Sequence, residues 1–218
     1  MEEYHKIQTL FKRDLQAPKK PMIEGDWTTP ELKYLASSEW EFTEKVDGTN
    51  IRIGYGDFRK SSDFAGPQIV FGGRTDNAMI PVKLLNYMTE KFTPSLFEDN
   101  SLREIVLYGE GYGPGIQSGG LYRADQSFVL FDVVIRSDGQ NWWLTRDNVE
   151  DIANKLDIDY VPQIGVGTLH DAIHMVKTGL NSEWGSFEAE GIVARPMVPL
   201  FNRKGERIIC KIKGKDFR

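Results

Sequence analysis

The residues best placed to do chemistry start at Lys45, within Glu44-Lys45-Val46-Asp47-Gly48-Thr49-Asn50. An unprotonated lysine amine is a nucleophile, and neighbouring cations favour that form. Alone, Lys-x-Asp-Gly reads better as a charged residue ahead of an Asp-Gly turn, so the rest of the chain must carry the case. Four further stretches follow in order. Leu107-Tyr108-Gly109-Glu110 presents a carboxylate at a strand end, either a hydrogen-bond acceptor for ribose hydroxyls or an exposed loop acid. In Phe128-Val129-Leu130-Phe131-Asp132, period two sets Phe128, Leu130 and Asp132 on one face. Phe128 could stack on a base with Phe131 in the core, or both rings could be core. Glu190-Gly191-Ile192-Val193 opens an apolar strand with a carboxylate, a ligand type suited to a hard divalent cation. In Lys211-Ile212-Lys213, the alternation of Ile208, Cys210 and Ile212 toward the core leaves Lys211 and Lys213 together on the other face. Phosphate oxygens would relieve their repulsion, although a lysine-guarded edge strand looks the same.

The elements that must position these residues follow from periodicity. Trp40, Phe42, Glu44 and Val46 share one parity, and Ile51, Ile53 and Tyr55 alternate with Asn50, Arg52 and Gly54. This predicts two strands joined at Asp47-Gly48, with Lys45 at the rim. Residues 1–39 read as irregular with short ordered pieces, in which Ile7, Leu10 and Phe11 pack an arm onto the body. Residues 57–68 read as a polar loop, and Gln68-Ile69-Val70-Phe71 as a strand leading to Gly73-Arg74-Thr75. Val82, Leu85, Met88 and Phe92 fall at helical spacing after Pro81. Strands are expected at 105–108, 127–135, 141–144, 191–195 and 207–213, and a flexible glycine-containing loop at 112–122. Thr145 or Asp147 caps a helix to about Leu156. Thr168 and Asp171 open another that carries Leu169, Ile173 and Val176 and ends near Gly179. His170 and His174 on that helix read as a surface pair rather than a metal site. The whole is an α+β pattern, mainly antiparallel sheets flanked by helices, with an arm at 1–39 and a body at 40–218.

Composition narrows the function. Cys210 is the one cysteine among 218 residues, which excludes an intrachain disulfide and a cysteine zinc site and fits a reducing cytoplasm. No apolar run is long enough to span a membrane. A net charge of −5 argues against a passive nucleic-acid coat. The segment from Arg203 to Arg218 is nevertheless strongly basic, as suits an enzyme that meets phosphates at one site.

The ordered set Lys-x-Asp-Gly, Gly-Glu, Phe-x-x-Phe-Asp, Glu-Gly-x-Val and Lys-x-Lys resembles that of the covalent nucleotidyltransferases, which are ATP-dependent RNA and DNA ligases and mRNA-capping guanylyltransferases. It spans Lys45 to Lys213. Thr43 to Asn50, with Leu107 to Gly113, is most similar to the RNA ligase family; DNA ligases more often continue with Glu-Arg or a similar pair where this chain has Thr49-Asn50. The resemblance implies an adenylation domain with ATP in the groove between its sheets. Lys45 would carry AMP, Glu110 bind ribose and Phe128 stack on adenine. Glu190 would position Mg²⁺ or Mn²⁺, and Lys211 and Lys213 would contact the α-phosphate. Arg74 matches the family's arginine between the first and third motifs, and Glu44, Asn50 and Arg52 are implied as neighbours of the nucleotide. The expected partner is RNA, nicked or with single-stranded ends, with DNA as a further option, bound by a cytoplasmic monomer. Arg218 follows Lys213 by five residues, so neither an OB-fold nor a helical C-terminal domain is expected in this chain. A minimal DNA ligase, a capping guanylyltransferase and a non-catalytic nucleotide- or RNA-end-binding module remain alternatives.

Overall fold

The computed structural model describes residues 1–58 and 66–217. The loop expected at 57–68 therefore lies largely outside the described residues. The chain forms two compact units, one of Met1–His5 with Asp47–Val161 and the other of Lys6–Val46 with Pro162–Arg218. Among the described residues no helix is long and apolar enough to cross a membrane.

The first unit holds β5 (Thr49–Gly56), β6 (Gln68–Gly72), α2 (Val82–Lys91), α3 (Pro94–Asp99), β7 (Ile105–Tyr112), β8 (Ser127–Ser137), β9 (Gln140–Trp143), α4 (Arg146–Leu156) and β10 (Asp159–Tyr160). Its sheet runs β10-β8-β7-β5-β6, with β9 on β8, and only the β10–β8 pair is parallel. Ile51, Ile53 and Tyr55 enter a core with Leu84, Met88, Phe97, Leu107 and Leu130. The buried face of α2 differs from the expected one. Val82 is 73 % exposed, and Leu84 takes the inward position. The reason is Gly111: a Cβ there would lie 2.3 Å from Leu84 Cδ2, so the bare strand backbone is the seat into which Leu84 packs. The short helix α3 was not expected. Its signal is Thr93-Pro94, a side-chain cap on Leu96 N followed by proline in the first turn, and Phe97 stacks on Tyr55.

The second unit holds β1 (Gln8–Thr9), β2 (Phe11–Arg13), β3 (Met22–Trp27), α1 (Pro30–Tyr34), β4 (Trp40–Glu44), β11 (Gln163–Gly167), α5 (Leu169–Thr178), β12 (Gly191–Pro196) and β13 (Cys210–Lys213). Its main sheet runs β1-β13-β12-β4-β11, antiparallel except for β1–β13, and β2–β3 form a separate ribbon. Trp40, Phe42, Ile192, Ala194, Cys210 and Ile212 make one core with Leu169, Ala172 and Val176 of α5. Thr168 and Asp171 form the expected reciprocal cap on α5. Residues 1–39 are more regular than expected, because β1 completes a sheet edge and β2–β3 pair with each other. The last strand starts at Cys210, and Arg207 makes a single bridge to Phe201.

Two further corrections concern the motifs. The strands on either side of Asp47-Gly48 are not a hairpin. β4 takes β11 and β12 as its neighbours, and β5 takes β6 and β7, so each has both edges filled by distant partners. The alternation along β8 also breaks. Gly109 faces Leu130 while Tyr108 faces Asp132, which leaves Phe131 as an extra residue. Beyond this bulge the faces exchange. Val133 joins Phe128 and Leu130 in one core, while Asp132 accepts from Tyr4 Oη (2.8 Å) among Phe131, Tyr108 and Trp143.

Candidate active site

In the second unit three neighbouring strands bring three charged groups together. Lys45 follows β4 directly, and its backbone N–H donates to Gly191 O (2.9 Å). Gly191 is paired with Lys213 across β12–β13, and Gly214 N–H donates to Glu190 O (3.2 Å). The side chains then converge. Lys45 Nζ donates to Glu190 Oε2 (2.6 Å), and Lys213 Nζ donates to Glu190 Oε1. All three groups are mostly shielded from water. One carboxylate thus bridges two ammonium groups that would otherwise repel each other. Lys211 lies two residues along on the same face as Lys213, with Cys210 and Ile212 buried on the other.

Glu44 and Arg52, implied as neighbours of a nucleotide, are turned inward. Glu44 is 1 % exposed and accepts from Ser182 Oγ (2.7 Å) and Glu183 N (2.8 Å). It shares the inward parity of Trp40 and Phe42, which is why it misses the Lys45 face. Burial pushes its carboxyl above the ordinary glutamate range, against the lowering effect of those two donors. The folded chain therefore holds this proton more tightly than the unfolded chain does. Stability falls as pH rises from the ordinary glutamate range through the raised one. Glu44→Gln is expected to remove that part of the decline. Urea unfolding of both proteins across pH checks it, and a wild-type-minus-variant difference that stays flat with pH would contradict it.

The Arg52 guanidinium, 0 % exposed, donates from Nε to Gly73 O (2.8 Å), from Nη1 to Met1 O (3.2 Å) and from Nη2 to Asp76 Oδ1 (2.9 Å). These bonds hold the turn that carries the exposed Arg74. Elsewhere in the first unit, Asn50 lies opposite Glu110 in the β5–β7 pair. Asn50 Oδ1 is buried with no hydrogen-bond partner among the described residues, an orphan acceptor of the kind functional sites retain. Gly48 presses against the same strand: a Cβ would lie 2.3 Å from Gly111 O and 2.8 Å from Glu110 Cγ. The motif glycine is needed for close approach. Phe128, expected to offer an open ring, is 0 % exposed, edge-on to Phe92 and packed over Gly109.

Sequence reasoning missed Ser182 and Tyr122, and gave Asp47 a place only in the motif turn. Asp47 Oδ2 accepts from Ser118 N (3.2 Å), and Asp47 N–H donates to Tyr122 Oη (3.3 Å). The glycine-containing loop, expected to be flexible, is folded on itself. A Cβ on Gly119 would lie 2.4 Å from Gly113 N, so these glycines allow backbone to pack on backbone. Arg123 braces it through Asp125 and Asp159, and Tyr112, hydrogen-bonded to Asp159, is pushed well above the ordinary tyrosine range by burial.

The implied divalent cation can be tested against these donors. Among the described residues no three His, Cys, Asp or Glu side chains cluster for a metal. Glu190 alone provides a hard oxygen ligand beside two cations. This fits Mg²⁺ or Mn²⁺ held by one carboxylate with phosphate oxygens and water, and not a protein-built cage.

Solved structures of Naegleria gruberi RNA ligase share the fold. A ligand-free mutant superposes with a TM-score of 0.63 at 18 % identity, covering 86 % of this chain and 53 % of that one. A mutant with ATP and Mn gives 0.62 at 18 % identity, covering 86 % and 54 %. Another mutant with ATP and Mn gives 0.63 at 16 % identity, covering 95 % and 59 %. This chain thus spans somewhat over half the length of the proteins it matches. The RNA ligase family model matches residues 38–213. That match runs over all five motifs, from Lys45 to the lysine pair on β13, and over most of the chain, so the chain belongs to the RNA ligase family.

Proposed function

We propose that this protein is an ATP-dependent RNA ligase that works through AMP bound covalently to Lys45. The observation that carries the reading is the Glu190 carboxylate bridging Lys45 and Lys213 on adjacent strands. It sets a potential nucleophile and a phosphate-binding cation in a fixed relation. Phosphate oxygens of ATP would take over Lys213 and Lys211 from the carboxylate. The Lys45 ammonium gives its proton to Glu190 Oε2, 2.6 Å away, and the free Nζ attacks the α-phosphorus. A P–N bond forms, and the bond to the β-phosphate oxygen breaks, releasing pyrophosphate. Lys211 and Lys213 stabilise the charge that builds on the α-phosphate. Glu190 is the residue that would hold a divalent cation, which would supply neutralisation of phosphate charge. The 5′-phosphate of an RNA strand then displaces Lys45 and takes the AMP, and a 3′-hydroxyl expels AMP to make the phosphodiester.

For the remaining residues, Glu110 and the Asn50 acceptor beside it suit ribose hydroxyls, and the exposed Arg74 suits phosphate. The buried position of Phe128 supports a scaffold role beneath Gly109 rather than an open stacking ring. Glu44 and Arg52 act as supports. We also propose that it acts in the cytoplasm, which the single free cysteine supports, and as a monomer.

Incubation with ATP and Mg²⁺ followed by intact-mass measurement tests the reading. The expected result is a gain of one AMP, with none from GTP, and sealing of nicked RNA in preference to nicked DNA. A protein that gains no mass, and carries no AMP as purified, is not a ligase of this kind.

A further inference from the structure

We propose that the β2–β3 ribbon and the 3₁₀ turn after β13 form a track for the phosphodiester backbone of the RNA strand. The proposal rests on the RNA ligase reading and extends it from the reacting phosphate to the strand behind it. β1 lies beside β13 at the edge of the main sheet. These strands are parallel, with Thr9 beside Lys211, and Leu10 N–H donates to Lys211 O (3.2 Å). Both segments therefore run on in the same direction. One continues into β2, and the other passes Lys213 into the turn Gly214–Phe217. Arg13, at the end of β2, ion-pairs with Asp216 in that turn. The ribbon tip thus stands beside the turn that carries Lys215.

The tip is a built feature. Asp14 Oδ1 accepts from Gln16 N (2.9 Å) and Ala17 N (3.3 Å). Asp14 N–H donates to Pro21 O (2.9 Å), and Arg13 Nη1 donates to Lys20 O (3.1 Å). Lys20 is held at φ 46°, in the left-handed region where a bulky side chain is uncommon. The result is that Lys19 and Lys20 both stand exposed, as Lys215 does.

The charges do not cancel along this strip. Residues 11–27 and 210–217 contain Lys12, Arg13, Lys19, Lys20, Lys211, Lys213 and Lys215 against Asp14, Glu24, Asp26 and Asp216, and Glu24 is paired with Lys177. Asp14 and Asp216 are used internally, Asp14 on the backbone of the tip and Asp216 on Arg13, where its side chain is 3 % exposed. Lys12 is paired with Asp26 (2.7 Å). Lys215 stands exposed two residues past Lys213, and Lys19 and Lys20 are exposed at the tip that Arg13 ties to Asp216. Cations gathered on the segments that adjoin the proposed α-phosphate site, on a chain whose net charge is −5, fit a row of phosphates rather than a single nucleotide.

The test uses the full chain with Lys19→Ala, Lys20→Ala and Lys215→Ala combined, none of which belongs to the proposed catalytic set. The probe is a 5′-phosphorylated nicked RNA duplex, and binding is measured across a salt series without turnover. Expected are about 10-fold weaker binding and a log–log salt slope shallower by about 2–3, since up to three phosphate contacts are lost. Gain of AMP from ATP should be unchanged. The matching triple arginine variant should keep the wild-type slope. Wild-type affinity and slope in the alanine variant would overturn the track, as would equal weakening in the arginine variant. If the wild-type protein gains no AMP but the alanine variant still loses RNA binding, the ligase reading fails and the track stands.

Discussion

Lys45→Ala is expected to take up no AMP, with covalent adenylylation reduced by at least about 10⁴-fold, beyond what loss of one stabilising contact produces. The geometry gives the reason. Lys213 cannot replace it by a rotamer change, because it is tied to the opposite oxygen of Glu190 and starts from a different strand. The two lysines should therefore separate by experiment. Lys213→Ala keeps the nucleophile and loses a cation that steadies the α-phosphate, so a reduction of about 10²–10³-fold is expected, with the AMP adduct still forming slowly. Rapid-quench measurement of adduct formation with labelled ATP distinguishes the two. Adduct formation at a comparable rate in Lys45→Ala would mean that another residue is the nucleophile and would remove the basis for the proposed mechanism.

Gly191→Ala is expected to lower both stability and activity. A Cβ at this position would lie 2.1 Å from Ile212 O and 2.8 Å from Lys213 Cα, and the residue has φ +154°. The obstructing atoms are the backbone of the paired strand, which cannot rotate away as a side chain would. β12 and β13 must separate, at a cost of about 1–3 kcal/mol by analogy with overpacked cores. For a chain of this size that corresponds to a melting temperature lower by roughly 2–12 °C. The displaced segment carries Glu190 on one side, accepts the Lys45 N–H at Gly191 O, and is paired with Lys213. A shift of about 1 Å there is expected to slow adenylylation about 10²-fold. Gly165→Ala, in the same sheet, is the control. Its Cβ would meet Phe42 Cδ2 at 3.6 Å, an ordinary contact, and little change is expected. Thermal melts and adduct rates of the two variants check the contrast. A Gly191→Ala protein that melts and reacts like wild type would show that the strand pair tolerates the extra atom.

By itself the sequence determined the family, the mixed and mainly antiparallel architecture, and the helices that announce their own ends. The ordered motifs are local strings of residue types. The Thr168–Asp171 cap and the periodicity of α5 involve residues within a few positions of one another, so they can be read without knowing what packs where. The pairing of Lys211 with Lys213 on one face needed only the two-residue period of a strand. What tertiary structure alone decided was which backbone each segment met. The strands flanking Asp47-Gly48 were expected to pair with each other because they are adjacent in sequence, yet each is saturated by partners far along the chain. One bulge residue, Phe131, reversed the faces of β8 and moved Asp132 away from Phe128. Glu44 and Arg52 carry the charges expected of ligand contacts. Their environments, set by Ser182 for one and by Gly73, Met1 and Asp76 for the other, turned them into buried supports. The Glu190 bridge between Lys45 and Lys213 joins residues 145 and 23 positions apart, a distance over which periodicity carries no information. Residue type and short-range period specify what a side chain can do. Long-range strand pairing specifies which other side chain it does it with.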